Sequence, residues 1–250
     1  MADNNALFLD GIRAILFDLD GTLRHERPSF HQALFELTVQ AGLPGSEEKR
    51  RRVLRWFHYY WAQSPELLQD FHAFEGNWDP FLTRFLQRYL VFYGYAPERA
   101  ATLAPEIYPR LEAARQLREN WIAPDTLPTL QALQEAGFSL GIVSNRSAPF
   151  HDLVDVLGLG PYFDFVLAAC EVDSWKPDVE IFQHALQRAG SRPECTLYVG
   201  DNYYADVVGA RRAGLKPVLL DPDGIFPDAE CPVIRSLKEL QEANAWQGVE

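Results

Sequence analysis

Asp18 and Asp20 stand two residues apart where the run Ile12-Arg13-Ala14-Ile15-Leu16-Phe17 ends, and Gly21-Thr22 follows them. The run reads as a buried strand, and no apolar core accepts two acids unpaired. Strand alternation puts residues i and i+2 on one side, so both carboxylates can converge at the strand's C-terminal mouth. There they can bind a divalent cation, or divide nucleophile and acid duties between them. The plainer alternative is a strand-to-turn connection, since Asp and Gly favour turns.

Other polar residues fall in comparable places. Phe138 to Val143 reads as a buried strand and leads to Ser144-Asn145. Phe163 to Ala168 precedes Lys176-Pro177, Thr196 to Val199 leads to Gly200-Asp201, and Lys216 to Leu220 leads to Asp221. Helical patterns separate these runs, at Thr126–Glu135, Pro149–Leu157, Asp178–Ala189 and Ala205–Ala213; Gly158, Gly190 and Gly214 mark stops. Strands alternating with helices imply βαβ units and a parallel sheet, whose strand C-termini form the crevice where ligands bind. Taken singly, Ser144 reads as a helix cap, Lys176 as an exposed helix start and Gly200-Asp201 as a turn. Their arrival together on one rim is much harder to reach by accident.

The rhythm breaks once. From Leu23 to Pro124 the pattern is helical, with turn signals at Gly42-Leu43-Pro44-Gly45, Ser64-Pro65, Asn77 to Pro80 and Gly94 to Pro97. A stretch that long is no loop in a compact domain. The expected division is an α/β core over 1–23 and 125–250, with a helical domain inserted over 24–124. No internal repeat is visible.

Composition narrows the function classes. The chain has 250 residues, 47% of them hydrophobic, and Lys+Arg of 23 against Asp+Glu of 35 gives a formal net charge of -12. That balance argues against a nucleic-acid binder. It also repels a small anion at long range, so any anion site must be built locally from a metal, a Lys or backbone N–H groups. Cys170, Cys195 and Cys231 show neither metal-ligand spacing nor a disulfide framework, which fits a reducing cytoplasm. Met1 to Asp10 lacks a basic region and a long apolar stretch, so it does not read as a signal peptide, and no run approaches a membrane span.

The ordered set resembles the haloacid-dehalogenase-like (HAD) hydrolase superfamily. The four motifs are Phe17-Asp18-Leu19-Asp20-Gly21-Thr22-Leu23, Ile142-Val143-Ser144-Asn145, Trp175-Lys176-Pro177-Asp178, and Val199-Gly200-Asp201-Asn202 with Asp206. The match runs from Ile12 to about Leu240, excluding the insert, where only length and helical character agree. The insert is similar to the helical cap of phosphoglycolate-phosphatase-like members. The resemblance therefore implies a parallel-sheet, Rossmann-like α/β core with an inserted helical cap.

For function, the resemblance implies a Mg²⁺-dependent phosphatase acting on a small phosphorylated metabolite. Asp18 would attack phosphorus and Asp20 would protonate the leaving oxygen, then take a proton from water. Mg²⁺ would be held by Asp18, Asp201 and the Asp20 backbone carbonyl, with Asp206 supporting its shell or Lys176. Lys176 and Ser144 would meet the phosphoryl oxygens, and Asn145 would add a second polar contact. Halide-displacing relatives lack the second acid and the metal site, because a halide needs no proton on leaving. Phosphomutase chemistry and a non-catalytic binding role on the same fold are the alternatives.

The insert holds four of the six Trp residues and the dense stretch Trp56-Phe57-His58-Tyr59-Tyr60-Trp61. On a helix these side chains point all round. A helical core is the ordinary reading; an aromatic-lined pocket and a homodimer contact through the insert are the others. Glu47 to Arg52 reads as a solvated first turn. No histidine pair has ligand spacing, so no metal is assigned to His25, His31, His58, His72, His151 or His184; His25 stands close enough to the first motif to face the site.

Overall fold

A computed structural model of the chain describes residues 9–43 and 45–245. The reading of the N-terminus rests largely on residues 1–8, and Pro44 belongs to one expected turn; these lie outside the described residues. Two compact units are present: 1–25 with 122–250, and 26–121.

In chain order, β1 is Ala14–Phe17 and β2 is His25–Arg27. Five helices follow: α1 Phe30–Gln40, α2 Glu47–Trp61, α3 Pro65–Ala73, α4 Trp78–Tyr93 and α5 Pro97–Gln116. Then come β3 Glu119–Trp121, α6 Thr126–Glu135, β4 Ser139–Ser144, α7 His151–Val156, β5 Phe165–Ala168 and α8 Val179–Ala189. The last elements are β6 Thr196–Gly200, a π-helical turn Tyr203–Val208 running into α9 Gly209–Arg212, β7 Lys216–Leu220, β8 Val233–Ile234 and α10 Lys238–Ala245.

The α/β unit is a six-stranded parallel sheet in the order β5-β4-β1-β6-β7-β8. Alternate residues of each strand feed opposite faces. Ile15 and Phe17 pack with Ile142, Val199, Leu130, Leu133, Val154 and Leu240, under α6, α7 and α10. Leu16, Val143 and Tyr198 face the other way, against Ile181, Phe182, Ala185 and Ala210 of α8 and α9. Both faces are covered, which is why the strands read as near-continuous apolar runs. β1 is central, flanked by β4 and β6, and the strand order reverses there; that is where an open α/β sheet forms its crevice.

The helical unit packs around Phe85, which is fully buried and has Tyr60, Trp61 and Trp56 at ring-centroid distances of 5.1, 5.4 and 5.9 Å. Ser29, Ser46 and Ser64 cap α1, α2 and α3 through their side chains. Buried Asp70 is neutralised by Arg88, with bonds of 2.5 and 2.8 Å, and accepts the Tyr60 hydroxyl at 3.1 Å. One expectation is corrected. The segment 24–124 is not helical throughout, because β2 and β3 pair as a two-stranded sheet. His25-Glu26-Arg27 and Glu119-Asn120-Trp121 are short and polar, and they find each other across the whole insert, so no local periodicity announces them. Among the described residues no helix is long and apolar enough to cross a membrane.

Candidate active site

The register brings the strand ends level. Phe17 lies opposite Ile142 on one side and Val199 on the other. Asp18 continues this ladder, donating its N–H to the Val199 carbonyl at 2.9 Å, and its side chain is buried. Ser144 closes β4, also buried. Gly200 closes β6 and hands the chain to Asp201 and to the π-helical turn that carries Asp206. Asn202 starts that turn by accepting the Tyr204 and Ala205 N–H groups at 3.0 and 3.1 Å.

Lys176 reaches the same point from beyond β5. It is almost fully buried, and all three ammonium protons are used: Asp18 Oδ1 at 2.5 Å, Asp206 Oδ1 at 2.8 Å and Tyr198 Oη at 3.0 Å. Burial alone would push the Lys176 ammonium down, but Asp18 and Asp206 outweigh it and hold it well above the ordinary lysine range. Tyr198, whose hydroxyl burial also holds well above its usual range, donates in turn to the Val143 carbonyl at 3.0 Å. Lys176 is thus a fixed, protonated charge.

Three acids converge here. Asp18, Asp201 and Asp206 each offer an oxygen, and these atoms lie within 4.8 Å of one another. Burial is the largest influence on Asp18; Asp206 and Asp20 add to it, Lys176 opposes it, and the carboxyl is pushed up to about 7. Burial followed by Asp18 and Asp206 drives Asp201 well above the usual carboxylate range as well. Asp201 is partly exposed and accepts the Thr22 hydroxyl at 3.2 Å. Fully ionised, three carboxylates against one ammonium would leave two negative charges uncompensated, which is the charge of a divalent cation, and without one the raised Asp18 and Asp201 carboxyls hold protons instead. The donor set is all oxygen, the preference of Mg²⁺. These residues therefore fit such an ion.

Two glycines are required by this crowding. Gly21 has φ +99°, and a Cβ on it would lie 2.5 Å from an Asp201 oxygen. A Cβ on Gly200 would lie 2.3 Å from the Asp206 carboxyl carbon. Any side chain at either place would drive an acid out of the cluster.

The expected site residues do not all fall together. Asp20 does not turn its carboxylate toward the three acids. Both of its oxygens are taken at the rim, by Arg146 Nε and Nη2 at 2.9 Å each and by Arg24 Nη1. Asn145 also departs from the expected phosphate contact. Its Nδ2 donates to the Lys176 carbonyl at 2.8 Å and its Oδ1 accepts the Lys176 N–H at 2.6 Å. Both ends of the amide hold the Lys176 backbone, so Asn145 sets the lysine in place. Sequence reasoning missed Tyr198, Arg146, Arg24 and Thr22. Tyr198 had a signal, a phenol between the buried apolar residues Leu197 and Val199, since a buried hydroxyl needs a partner. Arg146 had a weaker one in directly following Ser144-Asn145.

Comparison with known proteins gives concordant results. The sequence profile of the haloacid dehalogenase-like hydrolases matches residues 12–214. Glyceraldehyde 3-phosphate phosphatase of Methanothermobacter thermautotrophicus is 28% identical, over 85% of this chain and 87% of that protein. Phosphoserine phosphatase of Thermus thermophilus is 30% identical, over 87% of this chain and 91% of that protein. Among solved structures, a 2-haloacid dehalogenase from Pseudomonas syringae pv. Tomato DC3000 is 30% identical with a TM-score of 0.54, covering 94% of this chain and 99% of that one.

Proposed function

The chain belongs to the haloacid dehalogenase-like hydrolase family, and from that premise we propose that it is a Mg²⁺-dependent phosphatase of small phosphomonoesters working through an aspartyl-phosphate. The carrying observation is Asp18 at the central strand end, bonded to a buried, permanently charged Lys176 and set among acids whose charge calls for a cation.

Asp18 is the nucleophile in this reading. Its carboxylate oxygen attacks phosphorus, and the phosphorus–alcohol bond breaks. Lys176 offsets charge on the phosphoryl oxygens, and it cannot swing away because Tyr198, Asp206 and the Asn145 clamp fix both its ends. Ser144 offers a hydroxyl from the neighbouring strand end. Asp20 gives the alkoxide its proton, and in the second half takes one from the water that attacks the phospho-aspartate. A divalent ion held by Asp18, Asp201 and Asp206 would supply charge neutralisation between the carboxylate and the phosphoryl group. The helical unit over 26–121 is read as the family's helical cap.

Dehalogenation is the second reading, since the chain is also similar to a 2-haloacid dehalogenase. The presence of Asp20 weighs against it, because an alkoxide needs a proton on leaving and a halide does not. A phosphomutase or a non-catalytic binding protein would use the same residues differently. The deciding experiment is a metabolite-phosphate panel with and without Mg²⁺, alongside Asp18→Asn. Phosphate release that requires metal and disappears in the variant is expected. Isomerised ester without phosphate release would make it a mutase, and full activity in the variant would remove Asp18 from the nucleophile role.

A further inference from the structure

Asp221 follows β7 as Asp18 follows β1 and Asp201 follows β6, yet the reaction leaves it without a task. It is buried, and both carboxylate oxygens are taken by its own loop: Oδ1 accepts the Ile225 N–H at 2.8 Å and Oδ2 the Phe226 N–H at 2.9 Å. A carboxylate is expensive to bury, and these two backbone donors are what compensate it. The loop so folded sets the place of Phe226, whose ring stacks on Tyr203 at 5.1 Å and 19° and lies edge-on to Tyr204 at 5.9 Å. Resting on the phosphatase reading, we propose that Asp221, through Phe226 and Tyr203, is a positioning residue that braces the π-helical turn carrying Asp206, and so keeps the three acids tight enough to favour Mg²⁺ over Ca²⁺.

The sheet register makes the brace local. Gly200 of β6 lies opposite Leu219 of β7, so Asn202 and Asp221 leave the sheet side by side. Asp221 is anchored from the next strand: its N–H donates to the Ile234 carbonyl at 2.9 Å, and its own carbonyl accepts Arg235 Nη1. Tyr203 and Tyr204 open the turn directly after Asn202, and Val207 of the same turn packs with Phe226, Leu219 and Cys231 in one buried cluster. Phe226 thus ties the loop after β7 to the turn after β6.

The turn needs such support. π-Helical geometry is rare and occurs mostly as single turns. The turn's own bonds close it on itself: the Asp206 N–H donates to the Asn202 carbonyl at 2.8 Å, and Asp206 Oδ2 accepts the Asn202 N–H at 2.9 Å. Asp206 must also stay beside Asp18 and Asp201, which repel it when ionised. Mg²⁺ demands a compact, nearly octahedral set of oxygens, whereas Ca²⁺ accepts longer distances and a more flexible arrangement. A turn pinned by a buried aromatic stack holds its acid in place; a loosened one loses Mg²⁺ before Ca²⁺.

Calorimetric titration of the metal-free protein with Mg²⁺ and with Ca²⁺ tests the brace. Phe226→Leu and Tyr203→Leu should each weaken Mg²⁺ binding by about tenfold or more and Ca²⁺ binding by less than about threefold. Tyr203→Phe keeps the ring and should keep the wild-type ratio of the two affinities. Asp221→Asn, which retains one of the two acceptor oxygens, should lower that ratio in the same direction as the leucine variants. Equal loss of both ions, an unchanged ratio in the leucine variants, or Tyr203→Phe behaving like Tyr203→Leu would each overturn the assignment. Amide exchange in EDTA reads the turn without metal. The Ala205 and Asp206 N–H groups, both bonded to Asn202, should exchange about tenfold faster in Phe226→Leu relative to the amides of β1. An acceleration shared equally by β1 would make the stack a general stabiliser and overturn the brace. A wild type that binds neither ion would instead sink the metal-dependent phosphatase reading, and the ion preference with it, while the exchange comparison still decides whether Phe226 braces the turn.

Discussion

Asp18→Asn should make the metal-free protein more stable at neutral pH while destroying its activity. Asn copies the shape of a protonated Asp and cannot ionise. In the wild type, burial above all, with Asp206 and Asp20, raises the Asp18 carboxyl from an ordinary 3.8 to about 7 against the pull of Lys176. Between those values the folded protein holds a proton that the unfolded chain has released. The stabilisation from this group is therefore complete below about pH 4 and drains away as pH rises toward 7. About three units at 1.36 kcal/mol each is about 4 kcal/mol. In EDTA, the variant and the wild type should be matched near pH 4, diverge through the window, and differ by about 4 kcal/mol at pH 8. Mg²⁺ should narrow that gap, adding about 2.7 kcal/mol to the wild type at a hundredfold excess over Kd and far less to the variant. Amide exchange of β1 and β6 in urea, measured from pH 4.5 to 8 with EDTA or Mg²⁺, reports the α/β unit alone. A stability difference that stays constant across the window, or a wild type more stable than the variant at pH 8 in EDTA, would refute the charge argument.

Two further substitutions probe the supports of the site. Tyr198→Phe removes the hydroxyl that accepts from Lys176 and donates to the Val143 carbonyl; stability should fall by about 1–3 kcal/mol, and kcat should fall with KM nearly unchanged, as urea titration and steady-state kinetics would show. Gly200→Ala puts a Cβ against Asp206, so Mg²⁺ affinity measured by calorimetry should drop about tenfold or more, and unchanged affinity would take Asp206 out of the metal's surroundings.

The sequence made some of this legible and hid the rest for definable reasons. Strand ends could be read because a strand buried on both faces is a continuous apolar run, and the first polar residue after it must sit at the rim; Asp18, Ser144 and Asp201 were found that way. The direction of a side chain at that rim is another matter. Asp18 and Asp20 share a strand-like spacing, yet the chain stops being a strand at Phe17, and the tight turn through Leu19 to Arg24 sends the second carboxylate to arginines instead of to the acids. Alternation is a rule of extended backbone, and it lapses where the extended backbone ends. The same limit governs Asn145 and Arg146, adjacent in sequence and just past β4. One turns inward to clamp the Lys176 backbone and the other turns out to Asp20, and only contacts at long sequence separation decide which. A polar residue past a strand end can thus be located from sequence, but its task is set by the partner that arrives from elsewhere in the chain.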